Sequence, residues 1–293
     1  MDAVAAWEST GERLDTGGGM LFVSDAGPGE GTSAGPPILI LHGFPSSSFD
    51  WRAVVPALRA RHRVVLVDML GYGLSDKPFN GNYSLFAQAD LIETVARTLG
   101  LSEVVLVTHD VGDSVGGELL ARSIEGALAF DVVSRVITNG SIYMDSVQLS
   151  AGQQLMLALP DAPLPEDQAP GEELFAASLA FTFSPDHQPS ADELAAQWAL
   201  VSRAGGHRLL PRLIRYVEER RVHGDRWTGA IEKHPSPLSI VWGETDPIAV
   251  VAMADRLAAA RPDARLQRLG GVGHYPMIED PQSVAAAILA AAS

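Results

Sequence analysis

Three side chains in this sequence have the types and spacing of a nucleophile, an orienting acid and a base. Asp110 lies in Thr-His-Asp-Val-Gly (108–112), directly after the apolar run Val104–Val107. Asp246 follows the run LSIVW (238–242), and His274 follows RLQRL (265–269) in the glycine-flanked turn GGVGHYP. Nucleophilic catalysis needs these three parts. On a doubly wound parallel sheet they arrive after successive strands in the order nucleophile, acid, histidine. A carboxylate nucleophile directs the chemistry to an sp³ carbon. Attack gives an alkyl-enzyme ester, which histidine-activated water then hydrolyses at its carbonyl carbon.

A second frame overlaps the first, because Gly112-Asp113-Ser114-Val115-Gly116 fits the serine-hydrolase pattern G-x-S-x-G. The preceding strand separates the two readings. Asp110 falls three residues past Val107, at the tip of a strand–turn–helix, whereas Ser114 falls seven past it, about one turn inside the helix. Asp110 is therefore the expected nucleophile and a Ser114 esterase the alternative. Asn139, the last residue of the run RVITN (135–139), is the alternative to Asp246 as orienting group. The oxyanion of ester hydrolysis needs donors, and the N–H groups of Phe44 and Val111 are expected to supply them. His42, Pro45 and His109 are expected around the pocket floor, the two histidines bracing their turns. An epoxide leaving oxygen must be protonated, which suits a phenol. Tyr216 shares a helical face with Leu209 and Leu213, and Tyr143 is a second candidate for ring opening or pocket contact.

Elements that position these residues follow from periodicity. Trp7–Ala26 reads as a hairpin and Gly27–Pro37 as a loop. Apolar runs at Ile38–Leu41, Arg63–Asp68, Val104–Val107 and Arg135–Asn139 read as buried strands, with helices at Trp51–Arg61, Leu85–Leu99 and Ser114–Arg122 between them. After Tyr143 the rhythm changes. The segment 144–229 holds helical stretches at Gly152–Leu159, Glu172–Phe181, Ala191–Arg203 and Arg208–Arg221, and reads as a helical cap inserted between two parts of one core, 1–143 and 230–293. The strand–helix pattern then resumes with Leu238–Trp242, Ala249–Ala260, Arg265–Leu269 and Pro281–Ala292. Alternating strands and helices imply an α/β fold with a mostly parallel, doubly wound sheet, its site at the carboxyl ends of the strands.

Composition narrows the partners. A net charge of −15 over 293 residues argues against nucleic acid and anionic membrane surfaces. The absence of cysteine excludes thiolate nucleophiles and thiolate metal sites. MDAVAAWESTGERLD lacks the basic and apolar regions of a signal peptide, and no apolar run reaches about 18 residues. These features lead to the expectation of a cytoplasmic enzyme without metal or cofactor, acting on a small neutral apolar substrate. They leave its oligomeric state open.

HGFPSSSFDW (42–51), DMLGYGLSDKP (68–78), THDVG (108–112), WGETDPI (242–248) and GVGHYP (271–276) together resemble α/β-hydrolases of the epoxide hydrolase and haloalkane dehalogenase group. Within it, YSLFAQA, THDVGD, RYVEERR with DRW downstream, and HYPMIEDP are similar to the mesoderm-specific transcript-like members. The resemblance implies an α/β-hydrolase fold and epoxide hydrolase-like chemistry. It implies the nucleophile at Asp110, the acid at Asp246, the base at His274 and a ring-opening tyrosine at Tyr216. Dehalogenases of the group typically hold the halide with asparagine after His-Gly and tryptophan after the nucleophile. Here Phe44 and Val111 stand at those positions, so the resemblance favours an epoxide over a haloalkane or haloacid.

Overall fold

The computed structural model describes residues 2–28 and 35–293, so positions 29–34 of the expected Gly27–Pro37 loop lie outside the described residues. Its centre is an eight-stranded sheet in the order β1-β2-β4-β3-β5-β6-β7-β8. A short helix, α1 (Ala3–Glu8), precedes the hairpin β1 (Glu12–Asp15) and β2 (Met20–Ala26), which adds two antiparallel strands at one edge. The other strands are β3 (Ile38–Leu41), β4 (Val64–Val67), β5 (Glu103–His109), β6 (Asp131–Thr138), β7 (Leu238–Gly243) and β8 (Arg265–Leu269), all parallel to one another. β3 and β4 are apolar and buried at every position, as strands covered on both faces must be.

The covering helices on this frame are α2 (Val55–Arg59), α3 (Leu85–Thr98), α4 (Val111–Ile124), α10 (Val251–Ala260), α11 (Pro276–Glu279) and α12 (Pro281–Ala291). Between β6 and β7 the described chain is helical or irregular: α5 (Ala151–Ala158), α6 (Glu172–Ala180), α7 (Ala191–Ser202), α8 (Leu210–Leu213) and α9 (Tyr216–Lys233). Two expectations are corrected here. The stretch 51–61 is a 3₁₀ helix (Ser48–Ala53) followed by the short α2, since Pro56 suits only a first turn. The stretch 208–221 is not one helix. It breaks between α8 and α9, and α9 runs on to Lys233.

α9 is the element that ties the inserted helices to the sheet. Its buried residues Tyr216, Val217, Arg220, Trp227, Ala230 and Ile231 recur at helical spacing and form one face. Gly117 of α4 lets that face approach closely, since a Cβ there would lie 2.9 Å from Trp227 Cβ. The Trp227 indole N–H donates to Glu118 on α4 at 3.0 Å. At the far end, buried Arg135 of β6 donates to the carbonyls of Ile231, His234 and Ser236, satisfying acceptors that a helix terminus leaves open.

The junction of β5 and α4 depends on a still closer approach. A Cβ on Gly112 would meet the Leu41 carbonyl oxygen at 2.6 Å and that of His42 at 2.8 Å, both backbone atoms that cannot swing aside. Gly112→Ala is expected to lower stability by about 1–3 kcal/mol through this overpacking. Urea unfolding measures it, and a loss below about 0.5 kcal/mol would mean that the helix can shift at no cost.

Candidate active site

Asp110 sits at the tip between β5 and α4 with φ 49° and ψ −109°, a backbone conformation that L-residues rarely adopt. The strain turns its side chain out of the strand direction while leaving it only 2% exposed. Asp110 Oδ2 accepts the Phe44 backbone N–H at 3.0 Å, so one of the two expected oxyanion donors already touches the carboxylate. Val111, the other, is the first residue of α4 and is buried beside it. Gly43 is required between them: a Cβ there would lie 2.8 Å from Asp110 Cβ.

His274 and Asp246 come from the loops after β8 and β7. His274 Nδ1 donates to Asp246 Oδ2 at 2.7 Å. Asp246 is fixed in turn by Asn139 Nδ2 on the same oxygen at 2.8 Å and by the N–H groups of Ile248 and Ala249 on Oδ1 at 2.7 and 3.0 Å. Asn139, at the end of β6 with φ 37°, therefore supports Asp246 and does not replace it. Burial alone would lower the His274 pKa, but Asp246, through its charge and hydrogen bond, and Asp110 together raise it to about 9.

The two other expected histidines lie beneath the pocket and do not line it. His42 Nε2 accepts the Met69 N–H at 3.0 Å, so its Nδ1–H donates to the Gly43 carbonyl at 2.8 Å. Both nitrogens are used in bracing the turn, and burial lowers its pKa. His109 packs against the His274 ring at 4.9 Å and is held down to about 3, first by burial and then by the His274 charge.

Ser114 is not placed as a nucleophile. Its Oγ accepts Arg220 Nε from α9 at 2.6 Å, one turn into α4. Arg220 also donates Nη2 to the Asp110 carbonyl at 2.7 Å, lies 3.7 Å from Asp110 Oδ1, and stacks over the Tyr216 ring at 4.6 Å. Nothing in the sequence reading singles it out, although its place on the buried face of α9 is available from spacing.

A cavity of about 290 Å³ reaches the site at His274 and at Phe44, whose N–H meets Asp110; Asp110 and Tyr216 themselves are not among its lining residues. Phe44, Pro45, Ile248, His274 and Tyr275 form its floor, and Gln153, Met156, Leu174, Phe175, Leu179 and Leu210 its walls and roof. The lining is mostly apolar. Tyr216 packs its ring against Phe44 at 5.6 Å, beside the Asp110 donor, and burial raises its pKa, with the Asp110 charge acting in the same direction. Tyr143 points elsewhere: its hydroxyl donates to Glu232 at 2.8 Å and Arg256 covers its ring at 3.9 Å, so the expected second cavity tyrosine is not there. Tyr275, missed from sequence, lines the cavity in its place, stacked on Phe183.

A strained acidic tip on a parallel sheet, a late-strand histidine and its buried acid define a class before any relative is considered. The alpha/beta hydrolase fold family model matches residues 36–281, and the chain belongs to that family of hydrolases. It is 41% identical over 287 residues to putative hydrolase LipZ of Mycobacterium tuberculosis, covering 98% of this chain and 97% of that one. It is 31% identical to the human mesoderm-specific transcript homolog protein, covering 95% of this chain and 84% of that one. Haloalkane dehalogenase 2 of M. tuberculosis is 28% identical, covering 89% and 88% respectively. No helix among the described residues is long and apolar enough to cross a membrane.

The coupling of His274 to Asp246 has a pH signature. In the fold His274 ionises at about 9, against 6.5 for an unperturbed histidine, so the folded chain holds that proton more tightly. The stabilisation is complete below about pH 6.5 and is lost as pH rises through about 9. The stability advantage of the parent over His274→Gln in urea is expected to shrink steadily across that window. A constant difference would show that the pair adds no proton linkage.

Proposed function

We propose that the protein is an epoxide hydrolase. It opens a neutral, largely apolar epoxide to a vicinal diol through an ester on Asp110. The observation that carries this reading is a carboxylate, not a hydroxyl, at the elbow tip with its Oδ2 already on a backbone donor. Asp110 attacks an epoxide carbon, the carbon–oxygen bond of the ring breaks, and the departing oxygen takes its proton from the Tyr216 hydroxyl. His274 then removes a proton from water, which adds to Asp110 Cγ. The oxyanion so formed rests on the N–H groups of Phe44 and Val111. Collapse expels the diol oxygen with the proton carried by His274 and leaves Asp110 as the carboxylic acid. The proton of that acid passes through solvent to the Tyr216 phenolate, which restores the Asp110 carboxylate and the Tyr216 phenol together. Asp246, locked by Asn139 and two backbone donors, orients the imidazole and offsets its charge. Arg220, over the Tyr216 ring, stabilises developing charge on the phenol oxygen.

Dehalogenation is the second reading, supported by the relative named haloalkane dehalogenase 2. It uses the same three residues, but Phe44 and Val111 bring no side-chain N–H to a departing halide.

Removing the base separates the two steps. His274→Ala incubated with epoxides, haloalkanes and activated esters should accumulate a covalent adduct on Asp110, read by intact mass and peptide mapping. The mass of the whole epoxide supports the first reading, and that of the haloalkane less its halogen supports the second. Ester cleavage by the parent with no adduct in the variant would contradict both. Tyr216→Phe should slow ring opening at least about tenfold, a conservative figure for the loss of one positioned acid, and an unchanged single-turnover rate removes Tyr216 from the mechanism.

A further inference from the structure

Tyr216 has one proton, and its use depends on where that proton points. Among the described residues the hydroxyl has one hydrogen-bond partner, Gln153 Nε2 at 3.4 Å. An amide nitrogen can only donate, so the phenol oxygen accepts. Among the described residues none accepts the Tyr216 proton in return. The direction of the Gln153 amide is itself fixed. Its Oε1 accepts the Ser150 N–H at 2.9 Å while Ser150 Oγ accepts the Gln153 N–H at 3.2 Å, the reciprocal capping box that starts α5. Turning the amide over would set two donors against each other at Ser150, so Nε2 must face Tyr216. Gln153 also lines the cavity, as does Phe44, against which the Tyr216 ring packs at 5.6 Å.

We infer that Gln153 is a positioning residue for the leaving-group acid: the α5 capping box aims its amide at the Tyr216 oxygen, and that donation leaves the phenol proton to face the substrate oxygen. The role rests on the epoxide-opening reading above and extends it to a residue outside the usual catalytic parts. The same N–H steadies the phenol oxygen as it gives up its proton, an effect in the direction of a lower phenol pKa that partly opposes burial. Hydrogen bonds of this kind are often long before substrate is bound and shorten in the reacting complex.

Gln153→Glu isolates the effect. Glutamate at this position keeps the capping box, so α5 retains its start, but its second oxygen accepts where the amide donated. The Tyr216 proton is then captured by the introduced carboxylate and withdrawn from the substrate. The readout is the rate of epoxide adduct formation on Asp110 in the His274→Ala background, by intact mass, alongside decay of the ester in the background with His274 present. Adduct formation should fall at least about tenfold while ester decay stays within about twofold, because only the first step uses the phenol proton. Adding Tyr216→Phe should cost nothing further, as expected for two residues acting through one group. Equal loss in both steps, or adduct formation within about twofold of the parent, overturns the role of Gln153 while the adduct itself leaves the epoxide reading standing. No adduct in the His274→Ala parent overturns that reading, and the role of Gln153 falls with it.

Discussion

Asp110 is held in a backbone conformation that costs an L-residue about 1–3 kcal/mol, at φ 49° and ψ −109°, and the surrounding elements exist in part to keep it there. Gly112 lets α4 start against the ends of β3 and the His42 carbonyl, and Gly43 leaves room for the Asp110 side chain. Arg220 ties the Asp110 carbonyl to Ser114 and to α9. Strain of this kind persists only where the neighbours over-determine it. Here they do so from three directions: the sheet below, the β3 loop beside it, and a helix of the inserted segment above. The turn, the Phe44 N–H and the helices between β6 and β7 are therefore one mechanical unit.

The same arrangement explains how charges sit in a nearly dry site. His274, Asp246, Asp110 and Arg220 are all less than a tenth exposed, and each has an opposite charge or several donors within reach. An unpaired buried charge costs several kcal/mol, so the groups stand or fall together. His109 and His42 are kept neutral by burial, which leaves His274 as the site's titrating histidine with a raised pKa. In the proposed mechanism, ester formation on Asp110 removes one of the negative charges that raise it, so His274 becomes easier to deprotonate at the step that uses it as the base.

Much of this is legible in the chain itself. Buried parallel strands are continuous apolar runs, which is why Asp110 and Asp246 can be located from Val104–Val107 and LSIVW, whereas β8, RLQRL, is a largely exposed edge strand and His274 is located from the glycine-flanked turn that follows it. The boundary of α9 is not legible, because its polar sequence YVEERRVHGDRW hides a buried face behind charges that pair with α4. Tyr143 escapes the sequence for a related reason. Its place after β6 suits a cavity phenol, but Glu232 and Arg256, far along the chain, decide where it points. The contacts of Gln153 and Arg220 to Tyr216, Ser114 and Asp110 are ones that no periodicity encodes.

The most direct measurement is a single turnover with enzyme in excess over an epoxide, run in heavy-oxygen water. If the ester forms on Asp110 and water attacks its carbonyl carbon, the solvent oxygen enters the Asp110 carboxyl group. The first diol then carries an unlabelled oxygen taken from that carboxylate. Mass mapping should find the label in the peptide containing Asp110. A labelled diol in the first turnover, with no label in that peptide, would mean that water attacks the substrate directly and that Asp110 is not the nucleophile.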